Sequence, residues 1–260
     1  MGKNKLKKFA EIENLSCVLQ YPRERLMSEG FPFKGKWRDE IFGNQNPIVL
    51  ELGCGKGEYT VGLAKVNPQK NFVGIDIKGA RIWRGAKDVA ENNIANARFL
   101  RTEIENIGSF YADSEVDELW ITFPDPQMQK PRKRLTSSRF LKLYSQLLKS
   151  DGIVHLKTDS PFLYEYTRRI VSINGLKLIE QTADLYGSGM ADPVKSIKTF
   201  YESQWLSRGK SIKLISFMLK GENNTDYKEE KVFLEPESED IPKDDYRAYT
   251  RHNPMTSEIQ

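Results

Sequence analysis

The stretch Ile48-Val-Leu-Glu-Leu-Gly-Cys-Gly-Lys-Gly57 decides the fold. Its first five residues, Ile48–Leu52, form a short apolar run broken only by Glu51. Such a run predicts a parallel strand buried on both faces, where no polar alternation is needed. Three glycines follow at every second position, Gly53, Gly55 and Gly57. Glycine tolerates the turn and lets a ligand come close to the backbone. A helix over residues 57–66 then runs up to Pro68.

Outward from this unit the pattern repeats. Strands are predicted over residues 71–75, 97–100, 117–123 and 152–158, with helices over 80–92, 136–149 and from the cap Ser160 to residue 173. Two further strands, 176–183 and 212–219, have no comparable helix signal between them and are expected to pair as an antiparallel edge. Five β-α units and a strand pair predict an α/β protein with a doubly wound, mostly parallel seven-stranded sheet and helices on both faces. Residues 1–45 show no clear strand pattern and read as a basic N-terminal arm. Residues 46–220 form the domain, and residues 221–260 an acidic C-terminal extension for which disorder is the default. Within it, Lys231-Val-Phe-Leu234 is a candidate short strand.

The net charge of +4 conceals an asymmetry. Residues 221–260 hold eleven Asp or Glu and five Lys or Arg, which leaves 35 basic and 25 acidic residues in 1–220. A basic body favours a polyanionic partner, although ordinary solvated lysine gives the same composition. Two cysteines, Cys17 and Cys54, imply no disulfide framework. With no apolar run long enough for a membrane helix and no signal-peptide core, a cytoplasmic protein is expected, with no membrane partner and no metal.

The glycine spacing differs from the G-x-G-x-x-G that aims a helix at a pyrophosphate. The acidic residues around it suit a cofactor that carries a sulfonium, an amino-acid end and a ribose, namely S-adenosylmethionine. Glu51 stands at the end of the first strand and Asp76 at the end of the second, where a carboxylate can take both ribose hydroxyls. The third strand ends at Thr102 and Glu103, candidates for the adenine side, though Glu103 fits a surface position as well.

Phe123-Pro-Asp-Pro126 follows the fourth strand on the same carboxyl edge. Two prolines pre-set this loop and aim Asp125 into the expected pocket. Methylation of guanine N7 requires no proton removal. A carboxylate there can accept from the guanine N1–H and N2–H edge and stabilise the positive charge as it reaches the base. Lys130, Arg132, Lys133, Arg134, Arg139 and Lys142 follow and suit phosphates flanking a target base. Asp159 ends the fifth strand. Thr199-Phe-Tyr-Glu202 offers groups to hold a splayed-out base, but a helix start capped by Thr199 is the simpler reading.

Glu51 to Gly57, Gly74-Ile-Asp76, Phe123 to Pro126 with its basic continuation, Thr158-Asp159 and Thr199 to Glu202 occur in that order. The series resembles the bacterial tRNA (guanine-N7-)-methyltransferases over about residues 48–220. The resemblance implies a Rossmann-like fold, S-adenosylmethionine as cofactor and tRNA as partner. It implies methyl transfer to N7 of a guanine in the variable loop. It further implies cofactor contacts at Glu51, Gly53, Gly55, Asp76, Asp125 and either Thr102 or Glu103. Asp125 is the implied catalytic residue, and Lys130, Asp159, Thr199 and Glu202 the implied acceptor-site residues. Two departures stand out: Gln127 replaces a frequent Trp, and a shorter basic stretch puts Gln129 in competition with Lys130.

Overall fold

The computed structural model describes residues 3–219 and 226–229. Among the described residues eight strands form one sheet: β1 (Val18–Gln20), β2 (Ile48–Leu52), β3 (Asn71–Asp76), β4 (Ala97–Arg101), β5 (Val116–Thr122), β6 (Leu148–Thr158), β7 (Lys177–Thr182) and β8 (Lys213–Met218). Their order is β1-β4-β3-β2-β5-β6-β8-β7, parallel from β1 to β6 and antiparallel at β6–β8 and β8–β7. The helices are α1 (Lys3–Glu13), α2 (Arg23–Glu29), α3 (Glu58–Val66), α4 (Gly79–Glu91), α5 (Ser138–Leu147), α6 (Pro161–Ile173) and α7 (Phe200–Ser207).

Strand alternation divides the core into two layers. Ile48, Leu50 and Leu52 join Val73, Ile75, Leu119 and Ile121 in one, packed with Phe140, Leu141 and Tyr144 of α5 and Leu163 and Tyr166 of α6. Val49 enters the other with Phe72, Phe99 and Trp120, against Val61 and Leu63 of α3 and Ile82, Ala86 and Val89 of α4. Glu51 shares the parity of Val49, so its carboxylate is directed at α3 rather than at solvent.

Three sequence expectations need correction. The sheet has eight strands, not seven, because Val18–Gln20 pairs with β4 through Val18↔Phe99 and Leu19↔Leu100. A half-buried three-residue strand has no readable period; the open edge of β4 creates it. A helix, α7, lies between the last two strands. Its start is fixed by a capping box, in which Thr199 Oγ1 accepts from the Glu202 N–H at 3.1 Å, and not by an apolar stripe. The helix expected to reach residue 149 stops at Leu147, and Leu148 already pairs with Val116 across a bulge.

The N-terminal residues are tied into the domain. Trp37, fully buried, stacks on Tyr111 at 4.7 Å and donates its indole N–H to Phe110 O at 2.9 Å. Glu115 collects the N–H groups of Gly35, Trp37 and Ala112. Of the C-terminal extension, residues 226–229 are docked, with Tyr227 buried in the core. Lys231 to Leu234 lie outside the described residues.

The strand order reverses between β2 and β5. β3 and β4 continue on one side of β2, whereas β5 lies on the other, with Glu51↔Trp120 and Leu52↔Ile121 in register. In open α/β sheets the crevice at such a switch point, outside the carboxyl ends of the strands, is where ligands bind.

Candidate active site

The glycine turn leaves β2 at this switch point. Gly53 and Gly55 have φ of 79° and 55°. A Cβ on Gly53 would meet nothing within 4 Å. At Gly57 a Cβ would fall 2.5 Å from the Phe99 ring. The first two glycines therefore serve backbone conformation beside open space, while the third lets α3 pack closely. Ile75 O fixes the turn by accepting from the Gly53 and Cys54 N–H groups at 2.8 and 2.9 Å.

Two carboxylates organise this turn. Glu51 is 2% exposed. Its Oε2 accepts from the Thr60 N–H at 2.8 Å and from the Thr60 hydroxyl, and its Oε1 accepts from Thr122 Oγ1 at 2.5 Å. Burial pushes its pKa up to about 7 against the opposing threonine bonds, and the charge of Asp76 adds to the rise. Asp76 ends β3; its Oδ2 accepts from Gly55 N–H at 3.0 Å and its Oδ1 from Lys78 N–H at 2.7 Å. Each oxygen retains a second lone pair for a ligand hydroxyl. Open space over Gly53 and Gly55 with acidic groups beneath and beside it fits a cationic, hydroxyl-bearing ligand such as S-adenosylmethionine. Thr102 and Glu103 follow β4 on the same edge, one strand from Asp76; Thr102 is half-buried and Glu103 exposed.

The Pro124-Asp125-Pro126 loop leaves β5 beside the turn. Phe123 N–H donates to Lys157 O at 2.8 Å, and Phe123 and Gln127 both take left-handed backbone, with φ of 48° and 49°. Each such non-glycine residue costs roughly 1–3 kcal/mol and persists only where its surroundings enforce it. Asp125 is exposed, with Oδ1 accepting from Gln127 N–H at 2.9 Å. Arg134 grips the loop from beneath. Its Nε donates to Pro126 O at 3.3 Å and its Nη2 to Met128 O at 2.9 Å. Its guanidinium lies over the Phe162 and Tyr166 rings at 4.6 and 4.5 Å. At 3% exposure Arg134 is withdrawn from the basic cluster assigned to phosphates, whereas Lys130, Arg132, Lys133, Arg139 and Lys142 are exposed.

Behind the loop stands a buried ion pair. Lys157 and Glu202 have fully buried side chains with Nζ 2.8 Å from Oε1. Lys157 also donates to Lys195 O and Ile197 O at 2.7 and 3.0 Å, and Tyr186 donates to Glu202 Oε1 at 2.6 Å. Burial pulls the Lys157 pKa down and Glu202 opposes it. This cluster fixes the start of α7. There Phe200 N–H donates to Glu58 Oε2 at 2.8 Å, and Lys56 of the glycine turn lies 4.0 Å from the Phe200 ring. Phe200 and Tyr201 are left exposed beside the turn. Asp159 is buried at the end of β6, its carbonyl accepting from Lys213.

The fold thus brings Glu51, Gly53, Gly55, Asp76 and the Asp125 loop to one sheet edge, with Thr199 to Glu202 alongside. Sequence reasoning missed Thr60, Thr122, Arg134 and Lys157. A lysine inside the apolar strand Ile153-Val-His-Leu-Lys157 was a visible signal; nothing separated Arg134 from its basic neighbours.

A protein-family model described as a putative methyltransferase matches residues 45–215. The tRNA (guanine-N(7)-)-methyltransferase of Porphyromonas gingivalis is 53% identical over 243 residues, covering 92% of this chain and 96% of that protein. The protein of the same name from Bacteroides fragilis is 50% identical over 251 residues, covering 96% of both. Among solved structures, an antibiotic-related methyltransferase aligns with TM-score 0.54 at 15% identity, covering 78% of this chain and 96% of that one. The 16S rRNA methyltransferase KamB aligns with TM-score 0.55 at 15% identity, covering 78% and 95%. These two share the fold. The chain is an S-adenosylmethionine-dependent methyltransferase and belongs to the bacterial tRNA (guanine-N(7)-)-methyltransferase family.

Proposed function

We propose that this enzyme transfers a methyl group from S-adenosylmethionine to N7 of a guanine in the variable loop of tRNA, with Asp125 as the catalytic carboxylate. One observation supports this reading above the others. The rigid Pro124-Asp125-Pro126 loop and the glycine turn leave adjacent strands at the switch point, which sets an exposed carboxylate beside the cofactor region.

When bound, the cofactor supplies an electrophilic methyl group on a sulfonium. The chain's own residues then have four tasks. Glu51 holds the turn and offers negative charge beneath a cationic ligand, and Asp76 meets the ribose hydroxyls, with Thr102 or Glu103 on the adenine side. Asp125 orients the guanine edge and stabilises the charge that the base acquires; the N7 lone pair needs no general base. Approach geometry supplies much of the acceleration.

Lys130, exposed with Arg132 and Lys133, meets phosphates flanking the base. Asp159 lies at the acceptor edge. Thr199 and Glu202 act on the acceptor side by fixing Phe200 and Tyr201 as an aromatic margin. No described helix is long and apolar enough to cross a membrane. Among the described residues no group of three or more His, Cys, Asp or Glu is placed to hold a metal. We place the reaction in the cytoplasm, where tRNA is met.

Incubation of the protein with labelled S-adenosylmethionine and unmodified tRNA transcript tests the reading. Reduction and aniline cleavage should give one scission, at a guanine of the variable loop. Label on another base, or none, would overturn it.

A further inference from the structure

The acceptor loop is held by one buried cation, and that cation is held in turn by the chain's C-terminal extension. Arg134 is the residue that ties Pro126 and Met128 down. Its guanidinium lies 4.5 Å over the ring of Tyr166, a fully buried residue of α6. The Tyr166 hydroxyl in turn donates to Glu229 Oε1. Glu229 Oε2 accepts from the Ser138 N–H at 2.8 Å, at the first turn of α5, where a carboxylate is favoured.

Residues 226–229 are seated firmly enough to carry this load. Lys228 is paired twice with Asn174 at the end of α6: its N–H donates to Asn174 Oδ1 at 2.7 Å and its carbonyl accepts from Asn174 Nδ2 at 3.0 Å. Tyr227, 7% exposed, enters the core layer of α5 and α6. A path of direct contacts therefore runs Glu229, Tyr166, Arg134, Pro126, ending one residue from Asp125.

The chemistry gives the path a direction. A buried guanidinium needs acceptors, and two of those found by Arg134 are carbonyls of the strained loop. Burial lowers its pKa while Tyr166 and Glu229 oppose the shift. The loop in turn cannot relax at Gln127 while Arg134 holds Pro126 and Met128 on either side of it. Removing Glu229 leaves the tyrosine hydroxyl without its acceptor. The guanidinium then loses a partner fixed from the far side, and the loop can settle toward ordinary backbone.

We propose that the segment Asp226–Glu229 is a strap that positions the acceptor loop, with Glu229, Tyr166 and Arg134 as positioning residues for Asp125. The proposal rests on the reading of Asp125 given above and assigns the C-terminal extension a part in the reaction.

The test uses the full chain and the variants Glu229→Ala, Tyr166→Phe, their double, and Glu229→Gln. Tyr166→Phe keeps the ring under Arg134 and removes only the hydroxyl. Glu229→Ala and Tyr166→Phe should each lower kcat for tRNA about tenfold, with the Kd for S-adenosylmethionine within twofold of wild type. The double should be no worse than Glu229→Ala or Tyr166→Phe alone, and Glu229→Gln, which keeps one acceptor oxygen of the two, should fall between Glu229→Ala and wild type. Amide hydrogen exchange at residues 127–130 should quicken at least tenfold in the impaired variants, a readout independent of turnover. Unchanged kcat and unchanged exchange would overturn the strap, as would an additive double variant or a loss explained wholly by a lower Tm. Asp125→Ala run beside them separates the two ideas. Full activity in that variant defeats the Asp125 reading, while the exchange data still decide whether the strap holds the loop.

Discussion

The cofactor side and the acceptor side of the crevice are built differently. On the cofactor side, the turn at Gly53 to Gly57 is held by Glu51, Thr60, Ile75 and Asp76, within 26 residues of chain. On the acceptor side, the Asp125 loop depends on Arg134, Tyr166 and Glu229, and α7 depends on Lys157, Tyr186 and Glu202. The longest of those contacts, Tyr166–Glu229 and Lys157–Glu202, span 63 and 45 residues of chain. A cofactor site shared across many acceptors can be a compact local unit, whereas an acceptor site must draw on whatever elements flank it.

If the two sides are separable, lesions in each should fail in different ways. The largest effect is expected from Asp125→Ala. Loss of a preorganised charge at the reacting base should cut kcat about a thousandfold, roughly 4 kcal/mol, while the circular dichroism melting curve stays in place. Undiminished turnover would remove Asp125 from the chemistry.

Next is the buried pair. Lys157→Ala strands the Glu202 carboxylate and should destabilise the fold by about 3–5 kcal/mol in urea titration. The double variant Lys157→Met with Glu202→Leu should recover most of that loss, because it buries no unpaired charge. A cost below about 1 kcal/mol for the single variant would mean that α7 is held by other contacts.

On the cofactor side, Asp76→Ala should weaken S-adenosylmethionine binding about 30-fold to 100-fold by calorimetry, from hydrogen bonds to a charged group worth about 2–3 kcal/mol. At saturating cofactor kcat should change little. A large fall in kcat with an unchanged Kd would erase the division between the two sides.

Glu51 adds a pH signature. Its folded pKa of about 7 lies above the unfolded value. The stability it contributes is therefore full below about pH 4.3 and is lost as pH rises through 7, by roughly 3 kcal/mol. A cationic ligand favours the ionised form. Cofactor affinity should thus be roughly tenfold weaker at pH 6 than at pH 8, with proton release on binding. Glu51→Gln should flatten that dependence; a slope that persists in the variant points to another group. The smallest effect is at the surface: Lys130→Ala should lower the salt slope of tRNA binding by about one and leave cofactor affinity alone.

The same contrast explains how much the sequence disclosed. Ile48 to Gly57 and Asp76 are legible because strand, turn and carboxylate follow one another, each with a local physical reason. The sheet's central strands are legible for the same reason, being continuous apolar runs. β1 was not, since Val18–Gln20 becomes a strand only against the edge of β4. Arg134 is indistinguishable in sequence from the neighbours that suit phosphates, because its burial comes from Phe162 and Tyr166 on a helix about 30 residues further along the chain. For Thr199 and Glu202 the structure shows the capping box that the sequence suggests, and in the proposed function they bear on the acceptor through Phe200 and Tyr201. Asp226 to Glu229, in a segment whose composition reads as disordered, is ordered by Asn174, Ser138 and Tyr166.

The central claim is that the ring nitrogen of a guanine receives the methyl group. The most direct test replaces the variable-loop guanine of a tRNA transcript by 7-deazaguanine, in which a carbon stands at that position. Transfer of labelled methyl should vanish from this transcript while it still competes with unmodified tRNA for the enzyme. Undiminished labelling of the deaza transcript would contradict the account.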